Sequence, residues 1–67
     1  MNMEFRRYLI GTIERPTMFI MPGGELSNNP EDAEIFDFVD NAEMEIQKCD
    51  EPELYRIYHV KVSVLDI

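Results

Sequence analysis

A chain of 67 residues has room for one hydrophobic core, because a domain near this size buries only about 60% of the surface its unfolded chain exposes. The sequence therefore reads as a single domain over residues 1–67. A core this small contributes only about 3–5 kcal/mol of net stability, so such folds usually add disulfides, a metal or a partner subunit. The single cysteine, Cys49, excludes an internal disulfide. It suits a reducing compartment, where a lone thiol behaves as a small apolar residue. Structural zinc needs about four soft ligands at tight spacing, and Cys49 with the single histidine His59 does not supply them. Partner burial is the device left.

No run approaches the roughly 20 apolar residues of a membrane helix, and Met1 to Arg7 is not followed by the apolar core of a secretory signal. The expectation is a soluble cytoplasmic protein with no membrane partner.

Three segments read as strands. Phe5, Leu9 and Ile13 alternate with Arg6, Tyr8, Ile10 and Thr12, so both faces carry apolar groups. Gly11 marks a bulge or a close backbone approach. Glu14-Arg15-Pro16-Thr17 is a turn, and Thr17 to Met21 follows as a second strand, forming a hairpin with the first. Leu54 to Leu65 is the strongest strand. Tyr58, Val60, Val62 and Val64 line one face, and Tyr55, Ile57, His59, Lys61 and Ser63 the other. The valine face is expected to meet a helix.

Pro22 to Asn29 reads as a mobile loop, and Asn29-Pro30-Glu31-Asp32 as a helix start. Asn29 is the cap, Pro30 the first helical position, and two acids complement the positive end of the helix dipole. Ile35, Phe38, Val39, Ala42 and Ile46 then form one apolar stripe, with Phe36 on its flank. Met44 sits opposite that stripe, whereas Ala42, Met44 and Ile46 also alternate as a strand, so Glu43 to Lys48 is left as either. The fold class is α+β. A small antiparallel or mixed sheet of three to four strands, ββαβ or ββαββ, is covered on one face by a single amphipathic acidic helix.

No constellation specifies a reaction. Cys49 lies among carboxylates, which disfavour its thiolate, and His59 is the only histidine able to activate it. A calcium loop starting at Asp37 fails, with Val39 at its third position and Ala42 at its sixth. Gly23-Gly24 lacks the lysine and glycine spacing of a phosphate loop. The chain reads as non-enzymatic, with no catalytic residue, metal or cofactor.

Charge then separates the function classes. Fourteen acidic and six basic residues give a net charge of -8. Glu25 to Glu53 holds eleven acids and one base, while the flanking segments are each +1. A polyanion is repelled overall, so direct nucleic-acid binding is disfavoured. The one place for RNA contact is a basic patch of Arg6, Arg7, Arg56, His59 and Lys61 beside Tyr8 and Tyr55.

On a continuous helix, Glu34, Asp37 and Glu45 follow one ridge and Asp32, Asp40 and Glu43 another. Two rows of anions approximate phosphate rows, so this face docks onto a basic protein, including one whose natural ligand is nucleic acid. The alternative surface is apolar. Met18, Phe19, Ile20 and Met21, beside Tyr55 and Ile57, lie on a sheet face that one helix leaves uncovered, which suits a homodimer or larger homo-oligomer.

In size, acidity, strand-rich ends and a single acidic helix, the chain resembles the small acidic proteins that bacteriophages use to bind and disable host proteins. That resemblance implies a stoichiometric inhibitor or modulator rather than a catalyst. It carries no motif, so it assigns no residues.

Overall fold

A computed structural model describes residues 3–65. The long strands at either end, β1 (Met3–Thr12) and β4 (Tyr55–Val64), pair antiparallel without interruption, from Met3 opposite Val64 to Thr12 opposite Tyr55. β1 also pairs antiparallel with β2 (Phe19–Ile20), as the expected hairpin, through Gly11 opposite Phe19. The Arg15–Pro16 peptide in the connection is cis. β3 (Leu26–Ser27) completes a four-stranded antiparallel sheet of order β3-β2-β1-β4. With α1 (Val39–Gln47) this is the expected small α+β class.

Its fourth strand arises at Leu26–Ser27, inside the segment read as a loop. The tight turn before it explains why. Met21 N–H donates to Glu25 O at 2.7 Å and Gly24 N–H to Met21 O at 2.8 Å, with Gly24 at φ 89°, a conformation glycine adopts without cost. Residues 43–47 are helical, which resolves the ambiguity at Met44.

The helix start at Asn29 is corrected in extent. Asn29 does cap, accepting from Glu31 N–H at 3.0 Å, and Pro30 does open the helical turn, but that turn is a 3-10 helix ending at Asp32. The chain then extends beside β1. Tyr8 N–H donates to Phe36 O, and Phe36 N–H returns the bond to Tyr8 O, both at 2.9 Å. Once Phe36 spends its backbone groups on β1, no helix can run through it. α1 therefore begins only at Val39.

That break rewrites the apolar stripe. Ala42 is fully buried and Ile46 packs beside it, as expected, but Ile35 and Phe38 are 60% and 69% exposed, and Phe36 enters the core instead. The core cluster is Ile10, Phe36 and Ala42, packed with Tyr8, Ile20, Ile46, Tyr55 and Ile57, and Leu9 and Ala33 are buried as well. The helix thus covers the Tyr55 and Ile57 face of β4, and the expectation that it meets the valine face is overturned.

Of the two roles expected of Gly11, a bulge or a close approach, it takes the second, and its register with β4 runs through without a bulge. A Cβ there would lie 2.9 Å from Tyr58 Cε2 and 3.1 Å from Phe19 Cδ1. On this second face Phe19 meets Tyr58 edge-on, with ring centroids 5.7 Å apart. The Tyr58 hydroxyl donates to Thr12 O at 2.8 Å. Burial fades along the ribbon toward Met3 and Val64.

Candidate functional site

The six carboxylates expected to form two ridges do not share one helix. Asp32 belongs to the 3-10 turn and accepts from the Ser27 hydroxyl at 2.9 Å. Glu34 lies in the extended segment, its N–H donating to Ile20 O at 2.9 Å. Asp37 precedes α1 and pairs with Arg7, Oδ1 to Nε 2.9 Å. Only Asp40, Glu43 and Glu45 are on α1. The ridges need an unbroken helix from Asp32 to Glu45, and the Tyr8–Phe36 pairing removes it.

The fold instead gathers a different acidic set around a concavity. An open cleft of about 490 Å³ lies between the C-terminal end of α1 and the sheet. Ile10, Ile20, Leu54 and Tyr55 supply its apolar lining, while Glu34, Glu45, Asp50 and Glu51 supply carboxylates. Among the described residues Lys48 is the one cation lining it, with Nζ 3.3 Å from Glu45 Oε1. Both groups of this pair are well exposed, so it is a weak neutralising contact. Sequence reasoning named Glu34 and Glu45 but missed Asp50 and Glu51. The signal available was Cys49-Asp50-Glu51-Pro52, which turns the chain back from α1 to β4 and so must border whatever lies between them.

Cys49 also lines this cleft. Its thiol donates to Glu45 O at 3.5 Å. Desolvation raises its pKa, and the nearby charges of Glu45 and Asp50 raise it further. The thiol is therefore held protonated, the opposite of an activated nucleophile. His59 is not among the residues lining the cleft. Among the described residues, no group of three or more His, Cys, Asp and Glu gathers in a metal-holding arrangement. No helix of the described residues is long and apolar enough to cross a membrane.

The apolar candidates divide between the two faces of the sheet. Ile20, Tyr55 and Ile57 pack against the core beneath α1. Phe19 lies on the other face with Tyr58. Met18 and Met21 are half-buried. The basic candidates divide as well. Strand alternation places Arg7 and Arg56 on the Tyr58 face, and Arg6, His59 and Lys61 on the helix side. Arg7 stacks over Phe5, 4.4 Å from the ring centroid, and Arg56 over Tyr58 at 5.4 Å. A single basic patch is thus not formed.

No protein-family model, no curated protein and no solved structure matches this chain.

Proposed function

We propose that this chain is a non-enzymatic interaction module that docks onto a basic protein, of the kind that handles nucleic acid, and acts on it stoichiometrically as an inhibitor or modulator. The observation that carries this reading is the cleft beside the C-terminal end of α1, where an apolar lining meets Glu34, Glu45, Asp50 and Glu51. Such a cleft suits an arginine or lysine side chain, whose aliphatic stem packs on apolar surface while its charge reaches the carboxylates. The other acids, including Asp40 and Glu43, contribute to encounter rate by long-range attraction. A protonated Cys49 thiol in the same cleft favours binding over covalent chemistry.

The test compares the wild type with the triple variant Glu34→Lys, Asp50→Lys, Glu51→Lys, titrated by NMR with a short arginine- and leucine-containing peptide and used as bait in cell lysate at low and high salt. Peptide-induced shifts at Ile10, Ile20 and Tyr55, and retention of a basic protein that salt and the triple variant both abolish, are the expected result. Equal retention by wild type and variant would end the reading.

A second reading is favoured by an independent observation. Among the described residues, β4 ends the sheet with no neighbour on its outer side, and the far end of the β1/β4 ribbon exposes Met3, Val60 and Val64. This is the surface of a homo-oligomer, and it supplies the burial that so small a core lacks.

A further inference from the structure

We infer that the free edge of β4 pairs with the same edge of a second copy, antiparallel and centred on His59. The inference rests on the homo-oligomer reading and gives it a geometry. In an antiparallel ladder, successive residues alternate between directing both backbone groups at the partner strand and directing both away from it. Tyr8 exchanges its pair with Phe36, on the side of β1 away from β4. Its β4 partner His59 therefore directs its own N–H and C=O outward. Ile13 N–H, donating to Leu54 O at 2.9 Å, fixes the same parity from the other end. By alternation Ile57, His59, Lys61 and Ser63 present their amides and carbonyls along the open edge, and Tyr55 its carbonyl, its N–H being taken by Pro52 O.

That edge lacks most of the devices that blunt exposed strands. β4 contains no proline, and its register with β1 holds no bulge. Its cations are Arg56 and Lys61, and it carries no carboxylate. Two copies of a chain at -8 thus meet where neither presents an acid.

The backbone parity limits the register. Centred on His59, Tyr55 meets Ser63, Ile57 meets Lys61 and His59 meets its own copy, so every free outward amide is bonded. Centred on Val60, the same amides are bonded, but Lys61 is set directly against His59 instead of against Ile57. Centred on Tyr58, Ser63 is left out. The His59 register also brings Val60 of one copy beside Tyr58 of the other, continuing the apolar face of the ribbon.

The size of the molecule agrees. Its accessible surface is 5301 Å², against about 4,400 Å² for a compact monomer of this mass. Its radius of gyration is 12.9 Å, against about 11 Å for a compact chain of this length. The surplus surface is close to the roughly 800 Å² per partner that a stable interface buries.

Sedimentation equilibrium on the wild type, with a cross-linking assay on cysteine variants, tests the pairing. The wild type should sediment at twice its 7.9 kDa chain mass. His59→Pro removes only an outward N–H, so it should fold and sediment as a monomer. In a Cys49→Ser background, His59→Cys should oxidise to a covalent dimer, because facing residues of a bonded pair sit about 5.5 Å apart, within disulfide reach. Ser63→Cys should stay monomeric under the same oxidant. A wild-type monomer at every concentration would overturn both the pairing and the homo-oligomer reading. A dimer that survives His59→Pro, or in which His59→Cys does not cross-link, would overturn the pairing alone. If His59→Pro does not fold, the cross-link decides.

Discussion

Tyr58 lies directly over Gly11, with ring carbons 2.9 and 3.1 Å from where a Cβ would stand, and its hydroxyl is tied to Thr12 O at 2.8 Å. The hydrogen bond fixes the ring and the ring fixes the glycine. This arrangement holds β2 to β1 on the face away from the helix, where Phe19 stands on the other side of Gly11.

Gly11→Ala should therefore destabilise the fold by about 1–3 kcal/mol, the usual cost of overpacking, because the ring can retreat only by giving up its hydrogen bond. Tyr58→Phe should cost about 1 kcal/mol. Urea denaturation of both single variants and the double variant checks this. The double variant should be less destabilised than the sum of the singles, since freeing the ring relieves the clash.

Phe36 and Phe38 are two residues apart and have opposite fates. Phe36 is 9% exposed in the core, Phe38 69% exposed before α1. Phe36→Ala should cost about 3–5 kcal/mol. Phe38→Ser should stay within about 0.5 kcal/mol of the wild type. Thermal unfolding of the two variants distinguishes this fold from one with a continuous helix from Pro30, in which the order reverses.

The same pair shows what the sequence made legible. The capping geometry at Asn29 and Pro30 was readable because it is local. Its failure to continue was not, because helix and sheet compete for the backbone of Phe36 and the winner is Tyr8, 28 positions earlier in the chain. Facing was hidden for a different reason. A nine-residue helix spans about 14 Å, while a ten-residue strand spans about 33 Å. His59, Lys61 and Ser63 lie on the face of β4 that the helix touches, yet beyond the helix end, so their polarity carries no penalty and misleads a count of apolar residues per face. The close approach at Gly11 was legible because only glycine permits it. Of the cleft, Glu34 and Glu45 were singled out from a helix pattern that does not exist, and they meet Asp50 and Glu51 only through the turn after α1.

Arg7 and Asp37 join β1 to the segment leading into α1, Nε to Oδ1 2.9 Å. Both are partly exposed, so a double-mutant cycle with Arg7→Ala and Asp37→Ala should give a coupling of only about 0.2–1 kcal/mol, falling as salt rises. A coupling that salt does not change would mean the pair is drier than its exposure indicates.

Cys49 gives the pH-dependent test of the cleft. Burial, then Glu45 and Asp50, hold its thiol pKa above the ordinary range. Alkylation proceeds through the thiolate, so near neutral pH iodoacetamide should modify Cys49 more slowly than an unstructured peptide thiol, with the rate rising only in more alkaline buffer. Glu45→Gln and Asp50→Asn each remove a negative charge that opposes thiolate formation. Both should move the pH profile of alkylation toward neutrality, and Glu45→Gln should move it further because that charge is the stronger of the two. Docking of a basic side chain works in the same direction, since a cation among these carboxylates offsets their field at the sulfur. Alkylation of the wild type at fixed pH should therefore quicken when an arginine- and leucine-containing peptide binds without covering the thiol, and slow if the peptide seals the cleft. A rate indifferent to saturating peptide would place basic ligands elsewhere on the acidic surface, while leaving the raised thiol pKa intact.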